Sequence, residues 1–107
     1  MNYKEIDPDQ AKDLIDSQAE VFLLDVRETH EHARAHIDGV TLIPLGELTE
    51  RHQEIDKHKP ILCICAGGVR SEKAARFLLS QDFEDVTNMA EGMSGWLQRG
   101  FPAEVVD

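Results

Sequence analysis

Residues 61–79 read ILCICAGGVRSEKAARFLL, which is an apolar run, a glycine-containing loop and a stretch of helix-forming residues. The run at 61–65 follows the breaker Pro60, and its continuous apolar character predicts a strand that is buried on both faces. Ser71 suits the N-cap or first turn of a helix, and residues 74–79 supply an apolar helix face. The stretch therefore predicts a strand, a short loop and a helix in succession.

The loop between this strand and helix has the features of an anion-binding site. Gly67 and Gly68 allow successive backbone N–H groups to point toward one place, and the helix N-terminus adds a partial positive charge there. Cys65 stands at the carboxyl end of the strand, where open α/β sheets bind their ligands. A free thiol titrates near ~8.5, and such surroundings lower that value. We therefore expect Cys65 to be a nucleophile, and the anion to be bound by Ala66, Gly67, Gly68, Val69 and Arg70.

A buried structural cysteine is the alternative interpretation for each of the two cysteines. We interpret Cys63 as such a buried structural cysteine, because it lies inside the strand and is not next to the glycine loop. Two residues apart on one strand, Cys63 and Cys65 point to the same side, which is poor geometry for a disulfide. Arg70 closes the loop, and we expect its guanidinium to bond the loop carbonyls or a bound anion.

The loop and several other segments resemble the rhodanese-like sulfurtransferase family. In that family a strand ends in a cysteine whose loop runs Cys-x-x-x-x-Arg, as Cys65 to Arg70 do here. Two residues, Ala35 and Glu91, stand where the family usually has glycine, and we expect these departures to change local turn geometry more than chemistry. The other matching segments are Asp25–Glu28, His36–Gly39, Ile43–Pro44, Gly92–Trp96 and Gly100–Pro102.

The resemblance implies a single-domain rhodanese that transfers sulfur through a persulfide on Cys65, without a metal or other cofactor. The donor would be thiosulfate or a persulfide, and the acceptor cyanide, a small thiol or a thioredoxin-like protein. One alternative is a sulfur-carrier or regulatory module that acts within a partner complex. Another is a cysteine phosphatase or arsenate reductase, which the loop length disfavours because those enzymes resemble Cys-x-x-x-x-x-Arg, one residue longer.

Length and composition agree with one domain over residues 1–107. The net charge of -10 opposes binding to a nucleic-acid backbone, although Arg70, Lys73 and Arg76 could form a local positive field. No apolar run approaches the ~20 residues of a membrane-spanning helix, so we expect no membrane partner. The N-terminus lacks a basic-then-apolar signal region, so we expect a cytoplasmic protein.

Apolar and helical patterns alternate along the chain, which predicts an α/β fold with a doubly wound, mostly parallel sheet and helices on both faces. Asp7 and Pro8 predict the start of the first helix. That helix is expected to end near Ser17, and a glycine-broken turn is expected over residues 92–96. The other predicted strands are 21–26, 40–43 and 86–89, and the other predicted helices are 29–35, 47–55 and 96–99.

Charged residues outside the loop receive mainly structural interpretations. We expect Asp25 and Arg27 to pair with each other or with a nearby glutamate, Glu28 or Glu31, and as a second possibility to shape the mouth of the pocket. Histidines 30, 32 and 36 are expected to belong to a polar helix and a turn and not to a metal site, because no open ligand set surrounds them. Trp96 is expected to anchor the C-terminal segment in the core.

Overall fold

The computed structural model of the protein describes residues 3–17 and 20–106 and has an α/β architecture. The strands are β1 (Tyr3–Ile6), β2 (Phe22–Asp25), β3 (Ala35–His36), β4 (Thr41–Leu42), β5 (Ile61–Ile64), β6 (Val86–Met89) and β7 (Glu104–Val105). The helices are α1 (Pro8–Ser17), α2 (Thr29–Arg34), α3 (Leu45–Arg51), α4 (Val69–Ser80) and α5 (Gly92–Gln98), and a 3₁₀ turn (His52–Glu54) follows α3.

Five strands form a parallel sheet in the order β1-β6-β5-β2-β4, which confirms the predicted doubly wound fold. β5 lies at its centre and is buried along its whole length. Its residues alternate between two cores, as the period of a strand requires. Cys63 packs with α3 and α4 on one face, and Leu62 packs with α1 and α5 on the other. Strands β3 and β7 form a separate antiparallel pair.

The start of α1 shows the capping arrangement that the sequence predicts. The Asp7 carboxylate accepts the backbone N–H of Gln10 at 2.8 Å, and the Gln10 side chain accepts the N–H of Asp7 at 2.9 Å. These two bonds satisfy donors that a helix N-terminus would otherwise leave unpaired. Within residues 3–17 and 20–106, none of the helices is long and apolar enough to cross a membrane.

Two predicted elements are wrong in detail. The helix predicted over 47–55 begins at Leu45, directly after Pro44, and its last turn is the 3₁₀ turn. The glycine-broken turn predicted over 92–96 is instead the first part of the continuous helix α5. Its glycines serve close packing: a Cβ on Gly95 would lie 2.5 Å from the Cβ of Glu91. The short strands β1, β3 and β7 were not predicted, because they lack a clear apolar pattern.

The N-terminus of α5 packs directly on the loop that follows β5. The backbone N–H of Met93 donates to the Cys65 carbonyl at 2.8 Å, and that of Ser94 donates to the Ala66 carbonyl at 3.0 Å. Glu91 precedes this helix with a left-handed φ of 66°, a conformation that glycine adopts most easily. A Cβ on Gly68 would lie 3.2 Å from the Glu91 nitrogen. Glu91, which was expected to affect local turn geometry, therefore adjoins the loop itself.

We predict that Gly92→Ala destabilises the protein and disturbs the loop. A Cβ there would lie 2.4 Å from the Cys65 carbonyl oxygen, and the φ of 56° is already left-handed. Strain and backbone displacement should together cost about 2–4 kcal/mol of unfolding free energy, measurable by urea denaturation.

Gly46→Ala is the matched control for this substitution. Gly46 lies in α3, and a Cβ added there would have no atom within 4 Å, so alanine should leave stability equal or slightly higher. Equal unfolding midpoints for the two variants would contradict the close packing of α5 on the loop.

Candidate active site

The sulfur of Cys65 is almost completely enclosed and accepts hydrogen bonds from the protein. Cys65 is only 1% exposed. The backbone N–H of Gly68 lies 3.0 Å from Sγ, and the hydroxyl of Ser71 lies 3.2 Å from it. Both donors come from the turn into α4, which begins at Val69. Of the predicted loop residues, Gly68 bonds the sulfur of Cys65, and Val69 and Arg70 already belong to the helix.

The backbone at Gly68 explains how the loop reaches the sulfur. Gly68 has a left-handed φ of 102°, which other residues rarely adopt, and it occupies the N-cap position of α4. This turn directs its N–H toward Cys65 just before the helix begins. The positive end of the α4 dipole then faces the same sulfur. Gly67 and Gly68 thus direct backbone N–H groups toward the Cys65 sulfur.

The surroundings of the two cysteines shift their pKa values in opposite directions. Burial of Cys65 by itself raises its pKa, but this effect is outweighed by hydrogen bonds from the Ser71 hydroxyl and from the backbone N–H groups of Ser71, Gly68 and Gly67, so the pKa is lowered overall. The pKa of Cys63 is raised, chiefly by burial and also by the nearby Cys65. Both cysteines are free. These pKa shifts favour the thiolate at Cys65 and the protonated thiol at Cys63, which lies in the core.

A second layer of polar contacts, absent from the sequence prediction, holds the Ser71 hydroxyl. The Asn88 amide nitrogen on β6 donates to the Gly68 carbonyl at 3.2 Å and to Glu5 at 2.9 Å, which directs the amide oxygen toward Ser71. The Ser71 hydroxyl contacts that oxygen as well as the sulfur, and its one hydrogen can be directed to either. The sequence signal that could have indicated this contact is the polar residue Asn88 within the buried strand at 86–89.

The guanidinium of Arg70 contacts α2 and not the loop carbonyls that were expected. Its two terminal nitrogens donate to the two carboxylate oxygens of Glu31, each at 2.8 Å. This bidentate pair, with a smaller contribution from the backbone of Glu28, lowers the pKa of Glu31 to about 2 although partial burial opposes it. Arg76 pairs with Glu72 through a single bond from Nε to one carboxylate oxygen at 3.0 Å. The local positive field expected from this cluster of cations is therefore largely offset.

Asp25 and Arg27 form a buried ion pair, in agreement with their structural interpretation. The Arg27 Nε and a terminal nitrogen donate to the two oxygens of Asp25 at 2.9 and 2.8 Å, and Arg27 also donates to the Ala35 carbonyl at 2.7 Å. Because β2 and β5 are parallel neighbours, Asp25 and Cys65 lie at the same sheet edge, as predicted. The pair connects β2 to the strand that follows α2.

His32 lies on α2 and Trp96 lies in the core, as predicted, whereas His36 belongs to strand β3 and not to a turn. The rings of His32 and His36 stack with centroids 4.0 Å apart, and His32 Nδ1 lies 3.1 Å from an oxygen of Asp25. Over the residues that the structure describes, no group of side chains could hold a metal ion. Trp96 is buried, and its indole N–H donates to the Pro102 carbonyl at 2.9 Å.

A groove of about 510 Å³ opens beside the loop, between α2 and α5. We call it the α2–α5 groove. It borders Ala66, the residue next to the nucleophile. Its walls are formed by Arg27, His30, Glu31, Arg34, Ala35, Ala66, Met93, Ser94 and Leu97.

Comparison with known proteins assigns the family. The family model described as the rhodanese-like domain matches residues 7–99, which is most of the chain. The chain belongs to the rhodanese-like domain family. The matched rhodanese segment includes Cys65, its loop and every strand of the parallel sheet except the residues of β1.

Named relatives and a solved structure agree with this assignment. The chain is 44% identical over 92 residues to the putative sulfur carrier protein YrkF of Bacillus subtilis (strain 168), matching 86% of this chain and 50% of that protein. It is 31% identical over 102 residues to the thiosulfate sulfurtransferase GlpE of Actinobacillus pleuropneumoniae serotype 7 (strain AP76), matching 95% and 94%. A rhodanese-related crystal structure from Thermoplasma volcanium superposes with a TM-score of 0.84 at 31% identity, covering 97% and 100%.

These comparisons support sulfur transfer of the rhodanese type. The chain spans about half the length of YrkF, so the activity of that whole protein does not carry over directly. It spans 94% of GlpE, which is named as a thiosulfate sulfurtransferase.

We predict that Ser71→Ala raises the pKa of Cys65, because the variant removes a hydroxyl that donates to the sulfur. A hydrogen bond to a charged group contributes about 1.5–3 kcal/mol, so the ratio of thiolate to thiol should fall about ten- to hundredfold. The pH dependence of thiolate ultraviolet absorbance in the rhodanese domain measures this change.

Ser80→Ala is the control, because Ser80 lies at the exposed end of the same helix and its hydroxyl donates to the Phe77 carbonyl. It should leave the titration of Cys65 unchanged. An unchanged titration in Ser71→Ala as well would mean that the backbone donors alone hold the thiolate.

Proposed function

We propose that this protein is a sulfurtransferase that moves a sulfane sulfur from thiosulfate or a persulfide to a thiol or cyanide through a persulfide on Cys65. The observation that carries the proposal is the enclosed Cys65 sulfur, which accepts bonds from the Gly68 N–H and the Ser71 hydroxyl. Such a site stabilises a sulfur anion without requiring a charged partner at the sulfur.

The first step is attack of the Cys65 thiolate on the outer sulfur of the donor. With thiosulfate, a bond forms between Sγ and the outer sulfur, the sulfur–sulfur bond of the donor breaks, and sulfite leaves with the electron pair. The product on the protein is a Cys65 persulfide anion. We propose that the backbone N–H groups of the loop, from Ala66 to Arg70, stabilise this anion.

The second step returns the thiol and releases the sulfur. A thiolate or cyanide attacks the outer sulfur of the persulfide, and the Cys65 thiolate leaves with its electron pair. A lowered pKa makes Cys65 a good leaving group, as the same hydrogen bonds that favour the nucleophile favour its departure. No proton transfer is needed at Cys65, which fits a site without a histidine at the sulfur.

A second candidate is a sulfur carrier that passes its persulfide only to a partner protein, such as one of the thioredoxin-like class. Two observations favour it: the relative YrkF is named as a putative sulfur carrier, and apolar side chains are exposed near the loop. Val69 is 68% exposed at the first turn of α4, and Leu97 is 42% exposed on α5. Either candidate fits a reducing, cytoplasmic setting, in which free cysteines persist.

A cysteine phosphatase or arsenate reductase fits less well. The loop from Cys65 to Arg70 is one residue shorter than the loop that such enzymes resemble. The guanidinium that would bind a tetrahedral oxyanion is also occupied, since Arg70 forms a bidentate pair with Glu31.

We predict that thiosulfate or glutathione persulfide adds one sulfur atom to the protein, and that cyanide removes it. Cys65→Ser should abolish the added mass, because it removes the thiolate. Cys63→Ser should load and discharge normally, because the pKa of Cys63 is raised by burial and that thiol stays protonated. Intact-protein mass spectrometry measures both results.

The same experiment separates the candidates. A carrier would load sulfur but release it to a protein thiol much faster than to cyanide or a small thiol. A phosphatase would show no added sulfur and would hydrolyse an aryl phosphate. Equal loss of loading in both cysteine variants, with folding intact, would mean that the nucleophile is assigned wrongly.

A further inference from the structure

The cation closest to the loop is already paired with a carboxylate. Both terminal nitrogens of Arg70 donate to Glu31, and the pair is only partly exposed. Glu31 also accepts the backbone N–H of Glu28 at 2.9 Å, which fixes its carboxylate in place. A doubly charged donor such as thiosulfate therefore gains little attraction from Arg70, because the charge of Glu31 offsets that of the guanidinium.

The α2–α5 groove offers more space than thiosulfate needs. Its volume of about 510 Å³ lies within the ~300–1,000 Å³ typical of sites for organic ligands. It begins at Ala66, next to the nucleophile, and apolar side chains line part of it, including Met93 and Leu97. These features suit a donor whose transferable sulfur is attached to an organic group.

One cation of the groove differs from the others in its pairing. Arg27 is bound to Asp25 and Arg70 is bound to Glu31. Arg34, in the last turn of α2, has no carboxylate within ion-pair distance among residues 3–17 and 20–106. It is exposed and lines the groove. A planar guanidinium in this position can hold a carboxylate of a bound molecule.

We propose that the preferred sulfur donor is a low-molecular-weight persulfide of peptide size, bound in the α2–α5 groove with a carboxylate on Arg34, and that Glu31 disfavours thiosulfate by neutralising Arg70. The proposal rests on the proposed function, because it assigns the donor of the same Cys65 reaction. Arg34 is then a substrate-binding residue, and Glu31 is a specificity-determining residue.

The step is balanced without any further reactant. The Cys65 thiolate attacks the terminal sulfur of a protonated persulfide R–S–SH, and a new sulfur–sulfur bond forms at Sγ. The bond between the two donor sulfurs breaks, and the thiolate R–S⁻ leaves with the electron pair. The proton of the transferred S–H passes to R–S⁻, so the products are the Cys65 persulfide anion and the thiol R–SH. The groove holds the R group both before and after the sulfur is transferred, and the loop holds the transferred sulfur.

The test compares three donors on the full chain: glutathione persulfide, N-acetylcysteamine persulfide, which has no carboxylate, and thiosulfate. Arg34→Gln should lower kcat/KM for glutathione persulfide about three- to tenfold, mainly through KM, because it removes one charged contact at an exposed position. The other two donors should change less than twofold. Lys59→Gln is the control, since it removes the same charge beyond the opposite end of β5.

Glu31→Gln tests the other half of the proposal. Glutamine keeps the helix-capping contact that Glu31 makes, so α2 should remain folded, which urea denaturation checks. The variant frees the charge of Arg70, and kcat/KM for thiosulfate should rise several-fold. The value for N-acetylcysteamine persulfide should stay the same.

Three results would overturn the proposal. Arg34→Gln could lower kcat/KM by the same factor for all three donors, or for none of them. Either result would mean that Arg34 does not bind the donor. Glu31→Gln could leave thiosulfate use unchanged or lower it, which would mean that Glu31 positions Arg70 and does not oppose the dianion. If the wild-type protein takes sulfur from no donor, the proposed function fails and this proposal fails with it. If the wild-type protein loads sulfur normally but the two substitutions leave the kcat/KM values unchanged, this proposal alone is wrong.

Discussion

The hydrogen bonds that converge on the Cys65 sulfur are the interaction on which the rest of the site depends. A thiolate that is nearly shut off from water needs donors from the protein, since burial alone raises its pKa. Here the donors are the Gly68 N–H and the Ser71 hydroxyl, supported by the start of α4. The protein carries a net charge of -10, so a sulfur anion could not be held by the overall field and must be held by these local donors.

The donors keep their positions because three parts of the fold support the loop. On β6, the Asn88 amide nitrogen donates to the Gly68 carbonyl. From α5, two backbone N–H groups bind the carbonyls of Cys65 and Ala66, an approach that only a glycine at Gly92 allows. From α2, Glu31 fixes the side chain of Arg70. Because the parallel sheet brings these elements to one edge, the fold itself assembles the site.

Local sequence signals predicted the elements that form locally and missed the contacts that form over long separations. The apolar run of β5, the caps of α1 and the glycine turn at Gly68 are local, and each was predicted from adjacent residues. The pairing of Arg70 with Glu31 joins residues 39 positions apart, and no periodic pattern indicates it. Gly92 was interpreted as a break because a glycine that allows close packing and a glycine that ends a helix look the same in sequence. The Asn88 contact needed the position of β6 beside β5.

The most direct test of the central claim is the pH dependence of Cys65 alkylation by iodoacetamide. The Cys63→Ser protein leaves Cys65 as its single thiol, so the rate at each pH reports on that residue alone. If the loop donors hold the thiolate, the midpoint lies clearly below the ~8.5 of a free thiol, and sulfite or thiosulfate protects the sulfur. A midpoint at or above that of a free thiol, in a protein that remains folded, would contradict the claim that these hydrogen bonds outweigh burial.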